Sequence, residues 1–203
     1  MDVRDALNRR RMVRSFSAKA VDEVIVTSVF DDALRAPTAG NSRGISWILL
    51  CGPKETARYF EATTDAAWRE RSTRAEGLQR AGVVAVCVAD PLAYVERYQA
   101  EDKVASGLGS DSSAWPVPYW IGDAGFSTMA ALLRAEEEGL SASFLGAFRG
   151  NIALKEALSI PTGHIVFGAV LLGYPDGDDH RSASLDRTGP SRRDRLHRAT
   201  FSP

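Results

Sequence analysis

Three segments of the sequence carry side chains suited to holding a planar ligand with a phosphate group. The first is RRRMVRSF at residues 9–16, and the third is SRR at residues 191–193. Guanidinium groups bind phosphate through paired hydrogen bonds, so arginines from these two segments would hold a phosphomonoester. The second segment, APTAGNSRG at residues 36–44, offers hydroxyl, amide and backbone groups for the edge of a heterocycle. Together the three segments predict a pocket for a phosphorylated planar cofactor.

The sequence lacks the common motifs of hydrolytic and metal-dependent enzymes. It has no GxxxxGK[ST] phosphate loop, no GxGxxG after a predicted strand and no GxSxG elbow. Its three histidines, His164, His180 and His197, do not have the spacing of metal ligands. We therefore expect no bound metal.

Length and composition restrict the class of protein. The 203 residues suit one domain, and 44% hydrophobic with 25% charged residues is typical of a soluble globular protein. A formal net charge of −1 gives no general attraction to nucleic acid or to an anionic membrane surface. We expect neither nucleic acid nor a membrane as a partner.

The cellular compartment is predicted from three features. The N-terminus lacks the apolar core of a secretory signal, and the longest apolar run, at residues 165–173, is too short to cross a bilayer. Cys51 and Cys87 each lie within a β-like run, as expected for buried thiols in a reducing compartment. These features predict a cytoplasmic protein.

Hydrophobic periodicity predicts an alternation of helices and strands. Short apolar and β-branched runs predict strands at residues 46–51, 82–90, 142–148 and 164–175. Helices are predicted at residues 2–9, 21–35, 91–105, 119–138 and 150–158, with a surface pair of helices within 54–79.

The predicted helix at 119–138 is apolar or small on nearly every face between Trp120 and Ala135. A helix without a polar face must be buried, and a domain of this size has limited room for a wholly buried helix of this length. We therefore expect the helix to pack partly against a second copy of the chain. The polar, arginine-rich segment 176–203 cannot offset its own ordering entropy, so it is either disordered or an arm on a neighbouring subunit.

Taken in order, these segments resemble the FMN-dependent nitroreductase family over nearly the whole chain. Members open with an R-R-S-x-R-x-F segment and continue with an A-P-S-x-x-N loop, a D-A-G helix, a G-G-F turn, an L-G-I-P signal and a C-terminal R-R pair. The counterparts here are residues 10–16, 36–45, 123–125, 145–148, 158–161 and 192–193. Each motif is weak by itself, and their number and order make the resemblance specific.

The resemblance implies an α+β, nitroreductase-like fold in a single domain over residues 1–203. Its central, mainly antiparallel β-sheet would be flanked by helices, with a long buried central helix and an intertwined homodimer. Residues 1–175 would form the core, and residues 176–203 would form a C-terminal arm that reaches the partner subunit. The flavins would lie at the interface between the two subunits.

The resemblance also implies a set of cofactor-binding residues, with the backbone of Gly146 and Ala147 approaching flavin N5. The sequence departs from the family pattern at Met12, which replaces a serine, and at Arg43, which replaces a glutamine. Gly44-Ile45 replaces a proline-tryptophan pair, and Ala147 replaces the second glycine of the turn. Arg43 either faces the pyrimidine end of the flavin, where it would favour the reduced form, or turns outward. The implied FMN-binding residues are Arg10, Arg11, Met12, Arg14, Pro37, Thr38, Ala39, Asn41, Arg43, Leu145, Gly146, Ala147, Arg192 and Arg193.

The implied activity is a two-step exchange in which NAD(P)H reduces the flavin and leaves, and a flat acceptor such as a nitroaromatic or quinone takes its place. No catalytic side chain is expected, because flavin N5 carries the chemistry. Aromatic residues that would stack the acceptor are Trp115, Tyr119, Trp120 and Phe126; alternatively, they anchor the core and a lid at residues 106–118. Other hypotheses remain open: a dehalogenase, ene-reductase or flavin-cleaving relative, a non-catalytic flavin or deazaflavin binder, or arginines that are only solvated surface.

Overall fold

The centre of the molecule is a four-stranded antiparallel β-sheet in the order β1-β2-β4-β3. The computed structural model describes residues 1–179, 182, 186–189 and 191–201. Strands β1 and β3 form the two edges of the sheet, and the four predicted strands are confirmed to within two residues at each end. The strands are β1 Ile45–Cys51, β2 Val83–Ala89, β3 Ser141–Gly146 and β4 Ile165–Gly173.

Helices cover both faces of this sheet. On β2, Val84 and Val86 pack with residues of α3, α5 and α8, whereas Val83 and Ala85 pack with α2 and α7 on the other face. Every residue of β2 is buried as a result. The α+β prediction with an antiparallel sheet flanked by helices is therefore confirmed. The helices are α1 Val3–Arg9, α2 Glu23–Ala33, α3 Gly52–Thr63, α4 Ala66–Arg71, α5 Ala75–Gln79, α6 Pro91–Arg97, α7 Tyr119–Glu137 and α8 Asn151–Ala157.

Aspartate side chains determine where four of the helices begin. The carboxylates of Asp2, Asp22, Asp65 and Asp90 each accept a backbone N–H from the first turn, at 2.8, 2.8, 2.6 and 3.0 Å respectively. Such caps satisfy N–H groups that have no partner within the helix. The cap at Asp65 also begins a separate helix, so the surface pair predicted within 54–79 is in fact three helices.

Helix α6 is shorter than predicted, because it ends at Arg97 and does not continue to residue 105. The Arg97 guanidinium pairs with both carboxylate oxygens of Asp102 at 2.8 and 2.7 Å, which closes the chain into turns. A short 3-10 turn, Val104–Ser106, then ends at Gly107 with a left-handed φ of 73°. Contacts of the Arg97 side chain therefore override a local preference for helix.

Helix α7 is not buried on every face of the single chain. Its inner face carries Asp123 and Ala124, while on the outer face Tyr119 is 47% and Phe126 56% exposed. A Cβ built on Gly122, on the same outer face, would meet no atom within 4 Å. One protomer therefore has an apolar strip on its surface, and the expectation that this helix packs partly against a second copy stays a prediction.

The C-terminal segment is attached to the core at its start. Asp176 accepts hydrogen bonds from the Ser15 hydroxyl at 2.6 Å and from the Arg80 guanidinium at 2.5 Å. The Ser15 hydroxyl, the backbone N–H of Asp178 and the Arg80 guanidinium lower the pKa of Asp176 to about 2. Beyond residue 179, nearly all of the described residues are exposed, and residues 180, 181, 183–185, 190, 202 and 203 of the predicted arm lie outside the described residues.

Neither a membrane span nor a metal cluster occurs in the part of the chain that the structure describes. None of its helices combines the length and apolar character needed to cross a bilayer. No group of three or more His, Cys, Asp or Glu residues in the same part of the chain could hold a metal ion.

Candidate functional site

The N-terminal arginine segment lies along the edge strand β3. Met12 forms a parallel bridge with Ala142, and the Val13 N–H donates to the Ala142 carbonyl at 2.9 Å. Phe16 fixes the far end of the segment, since its ring is fully buried and its backbone pairs with Pro175. This pairing holds the segment beside the strand that leads to the predicted flavin turn at residues 145–148.

Arg10 carries the most informative side chain of this segment. Its Nε and Nη1 atoms are buried and have no hydrogen-bond partner among the described residues. Burying a charged group without a partner is costly, so natural proteins pair such groups or use them to bind a ligand. The Arg10 guanidinium therefore fits an anionic group such as a phosphate, which could supply paired hydrogen bonds.

The other two predicted arginines of the segment point elsewhere. Arg11 folds back on α1, where its Nη1 donates to the carbonyls of Asn8 and Arg9 at 2.6 and 3.0 Å and so caps the helix C-terminus. Arg14 donates to the Met12 carbonyl at 3.2 Å and lines a separate cavity of about 140 Å³. Of the three, Arg10 is the one with buried guanidinium nitrogens that have no partner among the described residues.

The turn after β3 borders an apolar cavity of about 220 Å³. Leu145, Gly146 and Ala147, all predicted to contact the flavin, line it. A Cβ built on Gly146 would lie 2.5 Å from the Phe148 ring, so this aromatic ring rests directly on the glycine. Gly146 thus leaves room for the Phe148 ring in this turn.

Aromatic side chains that sequence reasoning did not single out line the same cavity. Trp68 on α4 lies at its wall, and the guanidinium carbon of Arg149 stands 5.7 Å from the centre of the Trp68 ring. Phe148 is 92% exposed despite its contact with Gly146. The signal for Trp68 was weak, because it lies within a charged surface segment and reaches the cavity only through tertiary packing.

The loop at residues 36–44 borders a larger cavity of about 520 Å³ at the opposite edge of the sheet. Four of its five predicted flavin contacts line this cavity, and Ser127 and Asp123 from α7 complete the wall. The four loop residues are Pro37, Thr38, Asn41 and Arg43. The fifth, Ala39, is tied to the wall through its backbone.

Hydrogen bonds hold this loop in a rare backbone conformation. Gly40, Asn41 and Arg43 have left-handed φ angles of 63°, 58° and 55°. Glycine and asparagine accept this region readily, whereas an arginine there needs support. The Arg43 N–H obtains it from the Thr38 hydroxyl, which accepts at 3.1 Å. The polar side chains of the loop thus serve first to fix its shape.

The Arg43 side chain is exposed at the cavity. Its Nε stands 3.5 Å from the Asn41 amide oxygen, and it forms no ion pair within the described residues. This placement keeps open both interpretations of Arg43, a cation near the flavin or a solvated side chain.

Two of the four predicted acceptor-stacking residues are core side chains. Trp115 and Trp120 are only 7% and 6% exposed, and both rings pack edge-on against Tyr94 at centroid distances of 5.9 and 5.8 Å. Trp115 also donates its Nε1 hydrogen to the Leu108 carbonyl at 3.0 Å, which pins the loop at 106–118. These two tryptophans are therefore anchors and do not wall an open slot. Tyr119 and Phe126 remain exposed.

The predicted cofactor residues fall into separate places on one chain. Arg10 and the turn at 145–148 belong to the β3 edge of the sheet, whereas residues 36–44 lead into β1 at the other edge. Three inter-strand spacings, about 14 Å, separate these edges. Arg192 and Arg193 are exposed beside the 3-10 turn Arg193–Arg195 and form no hydrogen bond to either place within the described part of the chain.

The antiparallel sheet with helices on both faces defines an α+β protein, with two partnerless buried nitrogens of Arg10 at one edge and a polar cavity at the other. The sequence matches the nitroreductase family over residues 7–174, and the chain belongs to that family. The family consists of FMN-dependent oxidoreductases that take electrons from NAD(P)H. The predictions of family, fold, enzyme class and cofactor are thus confirmed at this level.

Individual relatives agree with this placement. An NADH dehydrogenase/NAD(P)H nitroreductase from Archaeoglobus fulgidus is 27% identical over 192 residues, covering 93% of this chain and 92% of that protein. A nitroreductase family protein from Clostridium novyi NT matches with a TM-score of 0.67 at 22% identity, covering 87% of each chain. An FMN-dependent nitroreductase from Clostridium difficile R20291 matches with a TM-score of 0.66 at 18% identity, covering 97% of this chain and 98% of that chain. At these identities the structural matches show a shared fold.

Proposed function

We propose that this chain is an FMN-dependent oxidoreductase that uses NAD(P)H to reduce a flat acceptor such as a nitroaromatic or a quinone. The observation that carries the proposal is the Arg10 guanidinium, whose Nε and Nη1 are buried without a partner among the described residues. Family membership supplies the cofactor class, and Arg10 supplies the local requirement for an anion.

The bound flavin would supply the hydride chemistry, and the chain would supply binding and orientation. Arg10 holds the phosphate in this proposal, with Arg192 and Arg193 of the arm as further phosphate ligands. The backbone of Gly146 and Ala147 directs N–H groups at the ring edge, where they would stabilise negative charge. The apolar cavity beside this turn excludes water from the reacting face.

We also propose that the working unit is a homodimer. The two groups of cofactor residues lie at opposite edges of one sheet, which favours an arrangement in which a second copy supplies one of them. The apolar strip on α7, formed by Tyr119, Gly122 and Phe126, offers a surface on which that copy would pack. The arm at residues 176–203 would then lie on the partner, and the exposed Leu196 and Phe201 are its apolar contacts.

The visible spectrum of the purified protein provides the first test. We expect flavin absorption bands, and we expect them to bleach when NADPH or NADH is added without oxygen and to return when a quinone follows. A protein that binds FMN but reduces no acceptor would support the flavin- or deazaflavin-carrier hypothesis. Failure of both nicotinamides to bleach the bands would contradict the proposed reaction.

A further inference from the structure

Asp123 is a buried carboxyl group to which no role has yet been assigned. It lies on the inner face of α7 and is only 3% exposed. Its Oδ2 accepts two hydrogen bonds, one from the backbone N–H of Ala39 and one from the hydroxyl of Tyr94, both at 2.8 Å. One oxygen atom thus joins the loop at 36–44 to helices α6 and α7.

Tyr94 supports this junction from α6. Its ring is fully buried between Trp115 and Trp120, and burial together with the hydrogen bond to Asp123 raises its pKa above the usual range. The phenol therefore stays protonated and remains a donor. The same ring also occupies the space beside Gly44, where a Cβ would lie 2.5 Å from it.

A second support holds the middle of the loop. Arg97 donates from Nε to the Gly40 carbonyl at 2.8 Å, while Asp102 fixes the two terminal nitrogens of the same guanidinium. The ring of Tyr98 lies against Gly40, because a Cβ there would be 2.6 Å from it. The rings of Tyr94 and Tyr98 thus pack against the loop. Its backbone is also held by hydrogen bonds to the side chains of Asp123 and Arg97.

We propose that Asp123 is a positioning residue that fixes the cofactor-contacting loop through the Ala39 N–H. This inference rests on the proposed function, because it takes residues 36–44 as part of the flavin site. Asp123 sets the place of Ala39, and through it the left-handed turn that presents Thr38, Asn41 and Arg43 to the cavity. Asp123 also lines the cavity, and the action proposed for it is through the loop, because its Oδ2 is engaged by two hydrogen bonds within the protein.

The test compares Asp123→Ala with Asp123→Asn. An asparagine carbonyl oxygen can accept the same two hydrogen bonds, so Asp123→Asn should keep the FMN Kd within about 3-fold of the natural protein. Asp123→Ala removes the acceptor and should raise the Kd about 10-fold or more. The visible circular dichroism of the bound flavin should change in Asp123→Ala and be restored in Asp123→Asn.

Thr56→Val is the matched control for lost stability. Thr56 is a buried polar residue of α3 that contacts the Pro53 carbonyl and lies away from the loop. If Thr56→Val and Asp123→Ala lower Tm alike and weaken FMN alike, the role of Asp123 is general stability and the inference is wrong. Should Asp123→Ala fail to fold, Asp123→Val removes the same acceptor of the Ala39 N–H and fills more of the space, and unchanged Kd and dichroism there would equally overturn the inference.

The two proposals fail in different ways. If the natural protein binds no FMN, the proposed function is wrong and the comparison of variants does not arise. If the natural protein binds FMN and Asp123→Ala binds it with the same Kd and the same dichroism, only the inference about Asp123 is wrong.

Discussion

Arg10 and Asp123 have different roles in the proposed cofactor site, one as a ligand of the phosphate and the other as a support of the loop. The Nε and Nη1 atoms of Arg10 are buried without a partner among the described residues and so suit an anionic ligand, whereas Asp123 has its Oδ2 engaged by two hydrogen bonds and acts on the shape of the loop. The sequence predicted Arg10 as a ligand because of its charge and its place in a motif. Asp123 was visible only as part of a D-A-G motif, because its two donors are 84 and 29 residues away.

Replacing Arg10 is expected to have different effects on FMN binding and on the stability of the cofactor-free protein. Arg10→Ala should weaken FMN binding about 10- to 100-fold, because hydrogen bonds to a charged group are lost. In the cofactor-free protein it should leave Tm unchanged or raise it, because two buried guanidinium nitrogens without a hydrogen-bond partner are removed. Fluorescence titration with FMN and thermal unfolding of the free protein measure the two effects.

Arg4→Ala is the matched control for this prediction, since Arg4 is an exposed arginine on α1. It should change neither quantity appreciably. A free Arg10→Ala protein that is clearly less stable than the natural protein would show that Arg10 has a structural partner, and the proposed phosphate contact would then lose its main support.

At the scale of elements, the strands were predictable and some helix ends were not. Val83–Ala89 and Ile165–Gly173 are nearly continuous apolar runs, which is the pattern of strands covered on both faces. Helix α6 instead ends where the Arg97 side chain reaches the Gly40 carbonyl, a contact 57 residues away. Trp68 was likewise missed, because packing of α4 near the β3 turn brings it to the cavity. Local patterns predict elements, and long-range contacts decide where they stop.

The link between Asp176, Ser15 and Arg80 makes an element-scale prediction about pH. Hydrogen bonds lower the pKa of Asp176 to about 2 in the folded chain, below its ordinary value of 3.8. The stability this group contributes is therefore complete above about pH 5 and is lost as pH falls towards about 2. Asp176→Asn should lower Tm at neutral pH, and its difference from the natural protein should shrink steadily below about pH 4.

Thermal unfolding by circular dichroism across this range measures the effect. Asp179→Asn, which changes an exposed carboxylate of the same segment, should give a Tm difference close to zero at every pH. A Tm difference for Asp176→Asn that stays constant down to about pH 2 would mean that the ionised carboxylate is not what holds the segment.

At the scale of the whole molecule, the predicted cofactor residues occupy two separate places on one protomer. The β3 edge offers an arginine and a backbone turn, and the β1 edge offers a shaped polar cavity, with two strands between them. The family resemblance implied flavins at a dimer interface, and the sequence itself favoured a second copy because an apolar helix and a polar tail each lacked a partner. The apolar strip on α7 is the surface of a single chain that such a second copy would cover.

Phe126→Glu tests directly whether a dimer through α7 brings the two groups of cofactor residues together. Phe126 lies on the apolar strip of α7 and is 56% exposed in one protomer, so a carboxylate there costs little in a monomer and much in a buried interface. We expect the variant to sediment as a folded monomer and to lose most of its FMN, because each half-site then lacks the other. Val24→Glu, at a more exposed position of α2 outside the strip, should stay dimeric and yellow. Analytical ultracentrifugation with absorbance read at the flavin band reports both properties at once. A monomeric Phe126→Glu protein that keeps its full flavin content would place the whole cofactor site within one chain, and a dimer that persists would move the interface away from α7.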